Sequence, residues 1–397
     1  MKARVDIAVI GSGAAGIAAA VCAARAGCST LILDASPAPG GTGGFSGLTT
    51  LCGLYDDAGN YLNEGFAREF AEALAKPTPD PSQEGNSFAG ASNPAPLLGG
   101  AGGGLAGLLS PIVPSRMGRV WVLPYRPEKF RSLAEKLIST TPTLRALWNT
   151  PLADVVVESG MITRLNGIEV GAVIDCSGTA EVARAIGAET SATDETTQAP
   201  AVIGTLCKVC RKLDSAAEMV QVLLPLARAG FPPLNLQATL EPNTFTAKFA
   251  GRAEQMPQLI AFLRANVRGF ENCETSPDKI TTAHRAGRMI VGQYVLTGED
   301  VLAGRKFPDA VARCAWPIEQ WDAKGAVRFQ YLPPGTHYEI PARSLRAARI
   351  KNLFMAGKTI SADVDAIASA RVMGCCLATG AAAGNLAAAY LKSSPLR

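Results

Sequence analysis

Charged residues are scarce in this 397-residue sequence, at 18%, and basic residues form no run anywhere along it. Lysine and arginine number 38 against 34 aspartates and glutamates, so the formal charge of +4 is spread thinly. Proteins that bind nucleic acids concentrate basic residues on one face, and we therefore expect no nucleic-acid partner. With 48% hydrophobic residues, the chain is too apolar to be disordered, and its length predicts two or three structural units.

The sequence also lacks an uninterrupted apolar run of about 20 residues, so we expect no transmembrane segment. The apolar stretch after Lys2 and Arg4 superficially resembles a signal peptide, but Asp6 and several glycines interrupt it. Ten cysteines are scattered through a long chain, which favours reduced thiols over a disulfide framework. These features predict a soluble protein of the cytoplasm.

A glycine motif near the N-terminus is the most informative feature. Residues 5–10 form a β-branched apolar run that predicts a buried parallel strand, and GxGxxG and an alanine-rich helical stretch follow it. The first glycine permits a tight turn, the second lets the backbone approach a pyrophosphate, and the third allows close packing of the helix on the strand. The loop residues that we expect to contact a dinucleotide are Gly11, Gly13, Ala14, Ala15 and Gly16.

The segment after this helix adds an acid and a second glycine cluster. The strand at residues 29–33 ends at Asp34, where a carboxylate can accept hydrogen bonds from ribose hydroxyls. Residues 40–44 then offer a backbone that can lie against a diphosphate, and we expect Ala35, Gly41 and Thr42 at the cofactor. The order GxGxxG, helix, acid and GG resembles the FAD-binding segment of the glutathione-reductase-like flavoproteins, which more often carry glutamate at the acid position.

Composition divides the rest of the chain. Residues 76–115 are rich in proline and glycine and lack periodicity, which predicts an inserted surface loop, with an active-site lid as the alternative. A second GxGxxG at residues 102–107 lies there without a preceding strand, and we assign it no function. The predicted fold class is α/β: a Rossmann-like FAD-binding domain with a parallel sheet and an inserted α+β substrate or cap domain. The FAD-binding parts are residues 1–75, 116–190 and 341–397, and the cap domain is residues 191–340.

Four later segments extend the resemblance. They are VIDCSGTAEVARAIGA at residues 173–188, the run at residues 284–313, YEIPARSLRAARIKNLFMAGKTIS at residues 338–361, and ASARVMGCCLATGAAAG at residues 368–384. With the N-terminal motif they are similar to the FAD-dependent oxidoreductase family related to the fumarate-reductase and succinate-dehydrogenase flavoproteins. The resemblance implies noncovalent FAD. It places Ser177 and Gly178 at the cofactor, Gly357 near the diphosphate, and Val372 and Met373 near the pyrimidine end of the flavin.

Arg371 is the leading candidate for the substrate side. It directly precedes Val372 in a neighbourhood of small and apolar residues, where a cation can anchor a carboxylate or stabilise developing negative charge. The alternative is a structural ion pair with Asp363 or Asp365.

His284 and Arg288 are the other catalytic candidates. Their i, i+4 spacing would place them on one face of a helix, with His284 as a proton carrier. A solvated helix face is the alternative interpretation.

The cysteine pairs invite redox and metal interpretations. Cys207 and Cys210 form a CxxC, but the segment alternates like a strand and no second CxxC completes a zinc or iron-sulfur site, so no metal is expected. Cys375 and Cys376 lie at the predicted flavin end, where electron exchange with the ring is conceivable, with core packing as the alternative.

Together these features predict an FAD-dependent oxidoreductase that moves hydride or electrons between a small organic substrate and flavin N5. An unidentified electron acceptor or donor completes the reaction. Because the sequence has no second dinucleotide motif with a supporting strand, direct reduction by NAD(P)H is not favoured. Two alternatives remain: a flavoprotein of the same fold that modifies RNA, and a non-catalytic module that binds FAD or NAD.

Overall fold

The computed structural model describes residues 4–77, 112–195, 198–322 and 324–393. Its strands are β1 (Arg4–Ile10), β2 (Thr30–Leu33), β3 (Thr50–Cys52), β4 (Ser115–Met117), β5 (Val120–Pro124), β6 (Leu144–Leu147), β7 (Val155–Glu158), β8 (Met161–Leu165), β9 (Ile168–Asp175), β10 (Thr190–Ala192), β11 (Ala201–Leu206), β12 (Asn235–Ala238), β13 (Phe245–Ala250), β14 (Ile280–Ala283), β15 (Arg288–Ile290), β16 (Ala310–Cys314), β17 (Ile318–Trp321), β18 (Val327–Gln330), β19 (Tyr338–Pro341) and β20 (Leu353–Met355). Its α-helices are α1 (Ala14–Arg25), α2 (Gly41–Phe45), α3 (Phe66–Ala75), α4 (Pro127–Thr140), α5 (Glu181–Ala185), α6 (Ala216–Arg228), α7 (Gln255–Asn266), α8 (Gly298–Leu302), α9 (Val364–Ala370) and α10 (Met373–Ser393). Most of the predicted insertion, with its second glycine motif, lies outside the described residues.

A seven-stranded sheet forms the centre, in the order β6-β2-β1-β9-β8-β7, with β20 also paired to β9. The pairs β6–β2, β2–β1, β1–β9 and β9–β20 are parallel, which confirms the predicted α/β class. Asn166 and Gly167 form the turn between β8 and β9, with φ of +47° and +74°. Because the parallel strands end at one edge, the segments after Ile10, Leu33 and Asp175 meet there.

The two long apolar helices pack on one face of this sheet. Ile7 and Val9 of β1 face α1 and α10, whereas Ala8 and Ile10 face a second cluster on the other side. A Cβ atom at Gly380 would lie 2.2 Å from the Ala15 carbonyl oxygen, so the α1–α10 contact requires a residue without a side chain there.

Helix α10 corrects one expectation. Among the described residues it alone is long and apolar enough to cross a membrane, contrary to our expectation that no such stretch exists. Most of its apolar window is buried in the protein, where the helix packs on α1, the sheet and β16, as a core helix does.

A second unit carries its own core. Strands β12, β13, β11 and β14 form an antiparallel sheet in that order, which we call the cap sheet. One of its faces packs on α6 and α7: Phe245, Ala247 and Phe249 of β13 point into that cluster. The intervening Thr246 and Lys248 point to the opposite face, towards the main unit. Residues 289–340 contribute instead to the main core, through β16 to β19.

Candidate active site

A cavity of about 750 Å³ lies between the carboxyl edge of the main sheet and the cap sheet. The segments after β1, β2 and β9 line one side, together with the start of α10. The other side consists of cap-sheet residues, β17, β18 and the wall sheet formed by β3, β5 and β4. The predicted residues that line it are Gly11, Gly13, Ala14, Ala15, Asp34, Ala35, Gly41, Thr42, Ser177, Gly178, Gly357, Val372, Met373, His284 and Arg371.

The first glycine loop leaves open space in front of α1. A Cβ atom on Gly13 would meet no protein atom within 4 Å, and no side chain caps the helix that begins after it. Its first-turn N–H groups therefore face the cavity beside the positive end of the helix dipole, as a diphosphate requires.

Gly16 does not line the cavity, because it serves packing. A Cβ atom there would lie 1.8 Å from the Gly11 carbonyl oxygen. Gly11 itself has φ of +93°, and its hypothetical Cβ would lie 2.7 Å from the Cys176 carbonyl oxygen. The turn, the helix and the loop after β9 thus meet at distances that only glycine allows.

Asp34 is fixed at the cavity wall by the loop beside it. Oδ2 accepts hydrogen bonds from the backbone N–H and the hydroxyl of Ser12, both at 2.6 Å, and Oδ1 accepts from the Ser36 N–H at 2.7 Å. Each carboxylate oxygen has further lone-pair capacity, so a ribose hydroxyl can still donate to it. The second glycine cluster lies against the first, since a Cβ on Gly41 would lie 2.8 Å from the Gly13 Cα.

Asp175, at the end of β9, shapes the loop that carries Ser177 and Gly178. Its carboxylate accepts hydrogen bonds from the Ser177 N–H and hydroxyl and from the Val182 N–H, at 2.7 to 3.0 Å. Burial raises the pKa of Asp175, and these hydrogen bonds oppose the shift. Gly178 has φ of +76°, and its Cβ would meet the Lys358 side chain at 2.7 Å.

Arg371 lies in the break between α9 and α10. Its Nη2 donates to Gln198 Oε1 at 3.2 Å and to the Glu319 carbonyl oxygen at 3.3 Å, and its Nε is buried without a hydrogen-bond partner. The alternative of an ion pair with Asp363 or Asp365 is wrong. The Asp363 carboxylate instead accepts hydrogen bonds from backbone N–H groups, among them that of Gly298. The Asp365 carboxylate accepts a hydrogen bond from Gln320 Nε2 at 2.6 Å.

The predicted helix through His284 and Arg288 is also wrong. β14 ends at Ala283 and β15 begins at Arg288, because these segments pair with β11 and β10. His284 lines the cavity with its side chain exposed, and its Nδ1 lies 3.6 Å from a Glu195 carboxylate oxygen. Arg288 is not among the cavity-lining residues; its Nη1 donates to Thr190 Oγ1 at 3.0 Å.

Several polar residues that line the cavity escaped prediction, and they include the charged residues Lys248, Arg285 and Glu319. Burial lowers the pKa of Lys248, and the Glu319 charge opposes this. Burial and the charge of Arg371 lower the pKa of Arg285 to about 10. Burial would raise the pKa of Glu319, but Lys248, Arg371 and hydrogen bonds from two indoles hold it below its ordinary value. The one signal in the sequence that could have identified any of them is Lys248, a lone lysine in the apolar strand FTAKFA.

The cysteines of the two predicted pairs lie in different surroundings, and Cys375 is hydrogen-bonded to a further buried cysteine, Cys314. Cys376 lines the cavity, and burial raises its pKa to about 12, which disfavours the reactive thiolate. Cys375 is fully buried, and both residues pack in the main core. Strand β11 ends before Cys207, so the CxxC lies beyond it. Within the described residues, no group of three or more His, Cys, Asp and Glu side chains could hold a metal ion.

The comparison with protein families decides the identity of this site. The model of the FAD dependent oxidoreductase family matches residues 6–230 and 232–395. The chain belongs to this family. FAD is therefore the cofactor of the protein, and the protein is an oxidoreductase.

The fold of this flavoprotein is shared with solved structures. A geranylgeranyl bacteriochlorophyll reductase-like protein from Thermoplasma acidophilum is 13% identical, with a TM-score of 0.52 over 99% of this chain and 81% of that one. GidA from Aquifex aeolicus is 12% identical, with a TM-score of 0.49 over 99% of this chain and 64% of that one. No curated protein matches the sequence. At 13% identity the likeness to the Thermoplasma protein shows the fold alone, and the relation to the fumarate-reductase flavoproteins stays a prediction.

The cavity fits FAD in this flavoprotein. Open space over Gly13, free N–H groups at the start of α1 and a carboxylate at Asp34 suit the diphosphate and ribose. The start of α10, at Val372 and Met373, reaches the same cavity beside the cap sheet.

Proposed function

We propose that this flavoprotein transfers hydride or electrons between FAD and a small organic substrate held against the cap sheet. When bound, FAD supplies two-electron chemistry at N5 of its flavin ring. The observation that carries the proposal is continuity: one cavity joins the dinucleotide loops to a chamber under the cap sheet. The second GxGxxG, at residues 102–107, has no strand before it in the sequence and therefore predicts no NAD(P)H site. We propose that the substrate, rather than NAD(P)H, exchanges electrons with the protein.

Arg371 is proposed to orient the substrate. It lies just before α10, and its guanidinium donates hydrogen bonds to Gln198 and to the Glu319 carbonyl oxygen on the cap side of the cavity. The unpartnered Nε leaves a donor free for a substrate oxygen. His284 is the proposed proton carrier, since it lines the cavity and has an accessible ring.

Purification followed by FAD extraction and anaerobic titration tests this function. We expect bound FAD, and we expect a metabolite panel to contain a compound that bleaches or restores the flavin absorbance. Arg371→Met should lower the rate of that step by roughly 100-fold, as loss of a charge-stabilising donor does. The matched control, Arg228→Met, removes an exposed arginine at the end of α6 and should leave the rate unchanged.

Failure would take distinct forms. A protein without extractable FAD would contradict the proposal outright. Bound FAD that no small molecule reduces or oxidises would favour the non-catalytic module, and flavin turnover only with RNA would favour the RNA-modifying alternative.

We further propose that the protein works in a reducing compartment such as the cytoplasm. Ten cysteines scattered through a long chain are typical of a protein that keeps its thiols reduced, which supports this placement. Detection of the native protein in membrane or extracellular fractions of its source cells would contradict it.

A further inference from the structure

Three cations meet in the cap-side part of the cavity: Lys248 from β13, Arg285 after β14, and Arg371 before α10. A fourth, Lys358, lines the cavity beside Gly178. None of them forms an ion pair with any carboxylate in the part of the chain that the structure describes. Arg285 is buried, and its one hydrogen bond among the described residues goes to the Ala199 carbonyl oxygen, at 2.7 Å. Arg285 is buried and Lys248 and Arg371 are half-buried, and gathering three cations in one cavity is destabilising unless negative charge offsets them, so the cluster requires an explanation.

The three cations surround one short segment, residues 319–321. The Arg285 guanidinium carbon lies 4.1 Å from the centre of the Trp321 ring, and the Lys248 ammonium lies 5.5 Å from it. Arg371 Nη2 lies 3.3 Å from the Glu319 carbonyl oxygen. The positive charges therefore belong to a single site.

Among the described residues, Glu319 is the one acidic side chain that lines this part of the cavity, and its carboxylate oxygens already accept hydrogen bonds. Trp316 Nε1 donates to its Oε2 at 3.1 Å, and Trp321 Nε1 donates to its Oε1 at 2.6 Å. These two indoles fix the carboxylate, so three positive charges face one negative charge that is held in place. The site retains a net positive charge and, at Arg371 Nε, a buried donor without an acceptor.

We infer that Lys248, Arg285 and Arg371 bind the oxyanion group of the substrate, which is an organic acid or a phosphate monoester. This inference rests on the proposed function, because it names the class of substrate for the same cavity. An anion would supply the missing counter-charge for the cations and an acceptor for Arg371 Nε.

The rest of the substrate is apolar, since apolar side chains line the outer part of the cavity. Val327 and Phe329 of β18, with Tyr331 after it, line the cavity while remaining 37 to 41% exposed. Leu48, Met117 and Val120 line it as well. Such side chains favour an apolar or aromatic body attached to the anionic group.

Equilibrium binding to the FAD-loaded protein tests the inference without any turnover. Benzoate, phenyl phosphate and the neutral benzamide are titrated, with binding followed by calorimetry and by the flavin absorbance. We expect at least one of the anions to bind 10-fold or more tightly than benzamide, and the tighter of the two identifies carboxylate or phosphate as the group recognised. Lys248→Met should weaken anion binding by roughly 30-fold or more, as loss of a buried charge contact does.

The controls separate a binding role from a structural one. Lys248→Arg retains the charge and should restore most of the affinity, and Lys212→Met removes an exposed lysine of the same unit and should change nothing. Lys248→Met should also keep its FAD content and its thermal stability, because an apolar residue replaces an unpaired charge. Equal affinity for benzamide and both anions would overturn the inference. So would unchanged anion affinity in Lys248→Met, or a Lys248→Met protein that fails to fold or loses FAD. A wild-type protein without FAD would instead refute the proposed function.

Discussion

At the scale of single residues, two glycines of one motif serve different purposes that substitution can separate. Gly13 has φ of −71° and ψ of −173°, an extended conformation that valine adopts, and its Cβ would enter open space. Gly13→Val should therefore leave the free energy of unfolding of the FAD-free protein within about 1 kcal/mol of wild type. It should abolish FAD retention, because the side chain occupies the approach to the first turn of α1. Denaturant unfolding and FAD extraction measure the two effects.

The comparison variant is Gly16→Ala, whose Cβ would lie 1.8 Å from the Gly11 carbonyl oxygen. Here the helix must move, and we expect about 1–3 kcal/mol of destabilisation together with weaker FAD binding. If Gly13→Val destabilised the FAD-free protein as much as Gly16→Ala does, the space over Gly13 would not be open to a cofactor.

Lys248 predicts a pH dependence of anion binding. Burial and the charges of Arg285 and Arg371 lower its pKa, Glu319 and Cys52 oppose this, and the net pKa lies below the ordinary value for lysine. Since the protonated amine binds the anion, affinity should fall as pH rises, and it should do so at a lower pH than an ordinary lysine would give. Benzoate titrations of the FAD-loaded protein between pH 7 and pH 10 measure this. The same alkaline loss in Lys248→Met would assign it to another group.

At the scale of the element, the contact between α1 and α10 sets the position of the dinucleotide loop. A Cβ on Gly384 would lie 2.3 Å from the Ala19 carbonyl oxygen, so Gly384→Ala forces the two helices apart. We expect a loss of about 1–3 kcal/mol in unfolding free energy, with weaker FAD binding because α1 carries the loop. Asn385→Ala, at the neighbouring exposed position, should be neutral or slightly stabilising. Chemical denaturation of both variants measures the difference, and equal stability would contradict the close packing.

The elements that sequence could predict are those with a strong local signal. β1, α1 and β2 follow from a β-branched run, a glycine motif and an alanine-rich stretch, and the hairpin before β9 follows from Asn166-Gly167. Residues 284–288 offered only the i, i+4 spacing of His284 and Arg288, without the apolar stripe that predicts a helix. Pairing of β14 and β15 with strands distant in sequence determines it instead.

The same distinction holds for the site. Asp34 and the glycines could be placed from one contiguous motif, because the motif itself builds the geometry. Lys248 could be assigned to the polar face of β13 by alternation alone. Only the tertiary arrangement makes that face a cavity wall, and residues from three distant segments meet at Trp321 in a way that no local pattern encodes.

At the scale of the whole molecule, two cores share one cavity. The main core includes α1 and α10, and the second core lies between the cap sheet and helices α6 and α7. The two faces of the cap sheet thus divide their roles: one holds the second core together, and the other presents Thr246 and Lys248 to the cavity. A ligand in the cavity touches both units and should stabilise their association.

FAD should therefore raise the thermal stability of the protein. A ligand that binds only the folded state at 100 times its Kd adds about 2.7 kcal/mol to the unfolding free energy, which corresponds to a shift in Tm of roughly 3 °C for a chain of this size. Calorimetric scans of FAD-free protein with increasing FAD measure the shift. Lys248→Met should respond as wild type does, whereas Gly13→Val should show no shift. A Tm that is independent of FAD in the wild-type protein would mean that the cavity does not hold the cofactor in the folded state. A shift that persists in Gly13→Val would place the bound FAD elsewhere than against the first turn of α1.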